Sequence, residues 1–83
     1  MESRARVFAE EAIRALGRLD AATARTSISL AFDADHKIDA LADAVYLACS
    51  EIEEQNRVTT STWNTLADAV DPELVSVVEA TRT

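Results

Sequence analysis

The sequence predicts an all-α fold, a compact bundle of four to five helices with its central helix over about residues 34–55. Three observations carry this. The 83 residues include one Gly and one Pro, too few for the many turns of a β-fold. Apolar residues recur at intervals of three and four over most of the chain. Third, Ile38 to Cys49 reads Ile-Asp-Ala-Leu-Ala-Asp-Ala-Val-Tyr-Leu-Ala-Cys, apolar around most of a helix's girth. Such a helix must be covered on several sides, by its own chain or by a second copy.

The first helix is expected over residues 3–18. Phe8, Ala9, Ala12, Ile13, Leu16 and Leu19 form its inner face, Glu10 and Arg14 stand four apart outside, and Gly17 loosens its end. Asp20 is placed to cap the next segment. Residues 21–32 are ambiguous. Ala21, Ala24, Ile28 and Ala31 have helical spacing, yet Ile28, Leu30 and Phe32 also alternate as in a strand. Helix is favoured, because the only other β-like stretch, residues 57–62, is too short and polar to pair with. Asp33 reads as the N-cap of the central helix, with Asp35 in its first turn. Ile38, Leu41, Val45, Ala48 and Ile52 then step by three and four as a coiled-coil seam, and Ala40, Ala44 and Ala48 form a second, small-residue face. Residues 56–60 link to a fourth helix starting near Ser61, with Trp63, Leu66, Ala67 and Val70 inward. Asp71-Pro72-Glu73 restarts a short final helix carrying Leu74, Val77 and Val78. No repeat, low-complexity tract or second domain interrupts residues 1–83.

With 48% hydrophobic and 28% charged residues in regular periodicity, the chain is not disordered. A single cysteine rules out an internal disulfide and any Cys-rich zinc site. No apolar run approaches the ~20 residues of a membrane span, and the N-terminus lacks a signal-peptide core, so a soluble, cytoplasmic protein is expected. The net charge of −7 is uneven. Residues 1–32 hold five arginines against four acids, a net of +1, whereas residues 33–83 hold eleven acids against Lys37, Arg57 and Arg82, a net of −8. That field repels phosphate backbones and attracts basic protein surfaces.

Enzymatic chemistry finds little to stand on. Asp33, Asp35, His36 and Asp39 are the densest set of potential metal ligands, but acids at a helix start follow from capping and dipole physics, and no second nitrogen or sulfur ligand accompanies His36. Glu51-x-x-Glu54 and Asp68-x-x-Asp71 place acid pairs on two helices. This is similar to the magnesium-holding pairs of helical nucleotide pyrophosphatases, though the full Glu-Glu-x-x-Glu pattern is missing. A divalent-metal hydrolase of nucleotides using Glu51, Glu54 and Asp68 is therefore the rival reading. His36 and Cys49, thirteen residues apart on one expected helix, are ~20 Å from each other and form no dyad. With one Gly there is no phosphate-cradling loop. Thr60-Ser-Thr-Trp63 could open a DNA-reading helix, but only Asn64 there reads bases, and Asp68 and Asp71 flank it. No catalytic residue, cofactor, metal or direct nucleic-acid contact is assigned.

The remaining feature is acidity. Asp35, Asp39, Asp43, Tyr46 and Glu53 fall on one stripe of the central helix, with Glu54 beside it, and the aspartates recur every ~6 Å, near the spacing of phosphates on one strand. The expected function is a small acidic, non-catalytic protein-binding module. It would act as a regulator or inhibitor that docks this stripe on a larger basic protein, such as one that binds nucleic acid; a structural subunit of a larger assembly is the remaining alternative. A homodimer is expected as well, with Ala40, Ala44, Leu47, Val77 and Val78 at the contact.

Overall fold

The computed structural model describes residues 1–82 and builds them from helices and short turns, with no strand among the described residues. The elements are α1 (Ser3–Gly17), α2 (Ala21–Ala34), a single 3-10 turn (His36–Ile38), α3 (Asp39–Gln55), α4 (Thr60–Ala69) and α5 (Pro72–Arg82).

The first helices are opened by polar side chains that satisfy orphan backbone N–H groups. The Glu2 carboxylate accepts the N–H groups of Arg4 and Ala5, each at 3.0 Å. Asp20 accepts the Thr23 N–H at 3.1 Å and opens α2. Residues 21–32 are thus helical, and α2 runs on through Ala34. That extension moves the next boundary. Asp33 lies inside α2 and caps nothing; Asp35 is the joint, accepting the Lys37 N–H at 3.0 Å through one oxygen and the Glu2 N–H at 3.1 Å through the other. The central helix begins at Asp39 rather than near residue 34, because the chain must turn at residues 35–38 to fold α3 back along α2.

The end of α1 also differs from expectation. Gly17 is helical, and the left-handed position that usually takes glycine falls to Leu19, φ 59°. The Leu19 N–H bonds the Leu16 carbonyl and the Asp20 N–H bonds the Ala15 carbonyl, the paired closure of a Schellman end. Gly17 serves packing instead: a Cβ there would run into Thr81 Cγ2 of α5. α3 ends similarly at Asn56, φ 58°, a residue type that tolerates that region.

α1 and α2 form the most extensive pair, α3 packs on α2, α4 on α3, and α5 returns to α1. Ala5, Ala9 and Ala12 on α1 and Ala24 and Ala31 on α2 are fully buried, so both helices approach through small side chains while Ile13, Leu16 and Ile28 fill the space between elements. The α3 seam of Leu41, Val45, Ala48 and Ile52 is buried as its spacing predicts. Two ion pairs lace helices across the surface, Arg6 with Glu73 and Arg25 with Glu53. No helix among the described residues is long and apolar enough to cross a membrane.

Two of the residues expected at a dimer contact are interior. Ala44 is 3% exposed and Val78 is fully buried, because the chain's own helices cover the second face of α3 and the inner face of α5. Val77 is half-buried against the core. Ala40 and Leu47 are exposed.

A bulky residue in the left-handed region costs about 1 kcal/mol relative to glycine. Leu19→Gly is therefore expected to stabilise the domain by up to about 1 kcal/mol, raising the thermal midpoint by roughly 4–8 °C. A lowered midpoint in a calorimetric scan would mean that Leu19 packing outweighs its backbone strain.

Candidate protein-docking face

The acids of the chain sort into those committed within the fold and those that are not. Asp35 is committed: the two backbone N–H groups it accepts hold its carboxyl below the usual aspartate range, and its place in the turn removes it from the α3 stripe. Glu53 is committed to Arg25 of α2 at 2.8 Å, and that guanidinium lowers its pKa. Tyr46 shares a 2.5 Å hydrogen bond with Ser29 of α2. Of the six residues expected to contact a partner, Glu53 and Tyr46 thus join α3 to α2, and Asp35 ties the turn before α3 to Glu2.

Asp39, Asp43 and Glu54 are exposed and make no ion pair among the described residues. Asp39 accepts only the N–H of its neighbour Ala40, at 3.0 Å, within the first turn of α3. Asp39 and Asp43 border a shallow cleft of about 280 Å³ whose remaining walls are Phe32, Ala42 and Tyr46. Phe32 in turn stacks at a tilt on His36, ring centroids 5.0 Å apart. Helical periodicity sets Asp43, Leu47 and Glu54 on one outer ridge, at steps of four and seven, and Leu47 there is 49% exposed. The face therefore offers an aromatic cleft, two unpaired carboxylates at its lip and one exposed leucine beside them.

Phe32, Ser29 and Arg25 were not assigned to this site by sequence. Their signal lies in α2 itself: at i, i+4 and i+7 they form one ridge, which can be read only once residues 21–32 are taken as helix.

The rival carboxylate set comes apart in the fold. Glu51 turns toward the start of α4, where it accepts the Thr59 N–H at 3.0 Å, the Thr59 hydroxyl and, at 2.7 Å, the Thr62 hydroxyl. It is a structural cap at the α3–α4 corner, with both carboxylate oxygens engaged. Glu54 and Asp68 are exposed on separate helices. No three His, Cys, Asp or Glu side chains among the described residues converge on a point where a metal could sit. Cys49 is buried; its thiol donates to the Ala21 carbonyl at 3.6 Å, and burial pushes its pKa up, away from a reactive thiolate. His36 is exposed on the 3-10 turn.

Compared with known proteins, the chain matches no family model, no curated protein sequence and no solved structure.

Burial opposes ionisation of Glu51, but the hydrogen bonds from Thr59 and Thr62 outweigh it and hold its pKa below the ordinary 4.5. A depressed folded-state value gives stability that is present above pH 4.5 and is lost as pH falls through the folded pKa. Glu51→Gln should cost about 1 kcal/mol at pH 7, a cost that shrinks on acidification below that range. Urea titrations of both proteins at about pH 7 and about pH 3 measure this, and a pH-independent difference would contradict it.

Proposed function

We propose that the domain is a non-catalytic protein-binding module of the cytoplasm, a regulator or inhibitor that docks the first three turns of α3 on a larger protein with a basic surface. The observation that carries this is the unequal use of acids. Glu10, Glu11, Glu53, Glu73 and Glu79 have arginine partners within the chain, whereas Asp39 and Asp43, at the lip of an aromatic cleft, have none among the described residues. Basic side chains of a partner would complete them. Charges of this kind steer encounter and fix register, while affinity comes from apolar anchors at the centre of the contact. Phe32, Tyr46 and Leu47 are the side chains available for that role.

The basic surface need not be a nucleic-acid groove. With Asp35 capping the 3-10 turn, the row at phosphate-like spacing reduces to Asp39 and Asp43, so the support is for a compact basic patch rather than an extended one.

The test is affinity chromatography of an extract of the producing cells on immobilised domain, with native mass spectrometry of the eluate. A basic protein bound at fixed stoichiometry to the wild-type chain should bind at least about tenfold more weakly to the D39K/D43K variant. Its retention should also fall as salt rises. Both substituted positions are exposed, so circular dichroism should show the fold intact. Equal retention by the double variant would remove this face from the function.

A further inference from the structure

The other flank of α2 carries a second surface, on which the α3 face does not depend. Between α1 and α2 runs a cleft of about 260 Å³ lined by Arg4, Phe8, Leu30, Asp33 and Ala34. Leu30 is 42% exposed, and Val7, one turn along α1 from Arg4, is 68% exposed, the most exposed large apolar side chain of the described residues. The outward side of α2 holds Ala22 and Thr26, both exposed and uncharged. Between Ala21 and Phe32 the sole charge is Arg25, which is turned to Glu53 on the α3 side. Depletion of charge on an exposed helix face, with apolar side chains in it, is the composition of an interface core. Arg4 and Asp33 both line the cleft, and neither makes an ion pair among the described residues.

We infer that this groove binds a second copy of the same chain. A twofold axis across the cleft sets Arg4 of each copy against Asp33 of the other and packs Phe8 and Leu30 on their counterparts, so one apolar strip with one cation and one anion completes itself. Charge selects the same face. Each chain carries −7, concentrated after residue 32, while residues 1–32 carry +1. Two copies that meet through α1 and α2 keep their acidic halves apart, whereas contact through α3 would bring Asp39, Asp43 and Glu54 of both together. The α3 face then remains open on each copy, and the inference stands whether or not that face docks a partner.

Sedimentation equilibrium of the full chain tests it, with Arg4→Glu, Asp33→Arg and an equimolar mixture of the two. The wild-type chain should dimerise. Each single variant places like charges together at both cross-subunit pairs and should associate at least about tenfold more weakly. In the mixture, the carboxylate introduced at position 4 of one copy faces the guanidinium introduced at position 33 of the other. The second pair keeps its native Arg4 and Asp33, so association should return to near wild-type strength. Each substitution puts a favourable sign at its helix end, negative near the start of α1 and positive near the end of α2, so folding is preserved. A monomeric wild-type chain, single variants that dimerise like wild type, or a mixture that fails to recover would each overturn the inference. The D39K/D43K variant should dimerise normally, which separates failure of this surface from failure of the α3 face.

Discussion

The close approach of α1 and α2 through buried alanines is the constraint on which the rest of the fold is built. Ala5, Ala9, Ala12, Ala24 and Ala31 contribute little apolar area each, but they lose no side-chain freedom on burial and allow two backbones to lie near each other. In so short a chain this closeness leaves room for α3 and α5 to reach the same core, where Ile13, Leu16, Ile28, Leu41 and Leu66 supply the larger volumes. The arrangement is intolerant in one direction. A larger side chain on the alanine seam would push α1 from α2, and the helices stacked on either side would have to follow.

The second organising element is the division of labour among carboxylates. Glu2, Asp20, Asp35 and Glu51 serve backbone and hydroxyl groups at the corners, where helix ends leave donors without partners. Glu53 and Glu73 tie neighbouring helices. Once these are subtracted, only part of the acidity of the chain is left without a partner inside the fold. Its uncommitted part includes Asp39 and Asp43 on the first two turns of α3, next to aromatic side chains that the fold leaves half-covered. Acid count alone conceals this distinction.

The parts of the fold legible in sequence are the local ones. The number of helices, the α3 seam, the Asp20 cap and the Pro72 start are written in spacings of a few residues, and the structure follows them. The boundary at residues 33–39 was not readable, since Asp33 and Asp35 are equally good caps. A bond to Asp35 from the N–H of Glu2, a residue far away in sequence, separates the two. Gly17 misled for a related reason: its lack of a Cβ answers to Thr81 of α5 and not to the turn beside it. The pairs Ser29–Tyr46 and Arg25–Glu53 depend on the register between α2 and α3, and the burial of Ala44 and Val78 depends on which helices cover them. Periodicity gives the faces of a helix, not the identity of its neighbours.

Cys49 has a use that its position alone confers. Its sulfur sits under α2, bonded to the Ala21 carbonyl, with no exposed surface. A thiol reagent can reach it only in molecules where the start of α2 has lifted from α3 or the whole domain has opened. The rate of labelling under native conditions therefore counts those openings, and its change when something binds the outer side of α2 reports how tightly that helix is held. The chain carries its own clock for the motion of the helix that both of its exposed faces share.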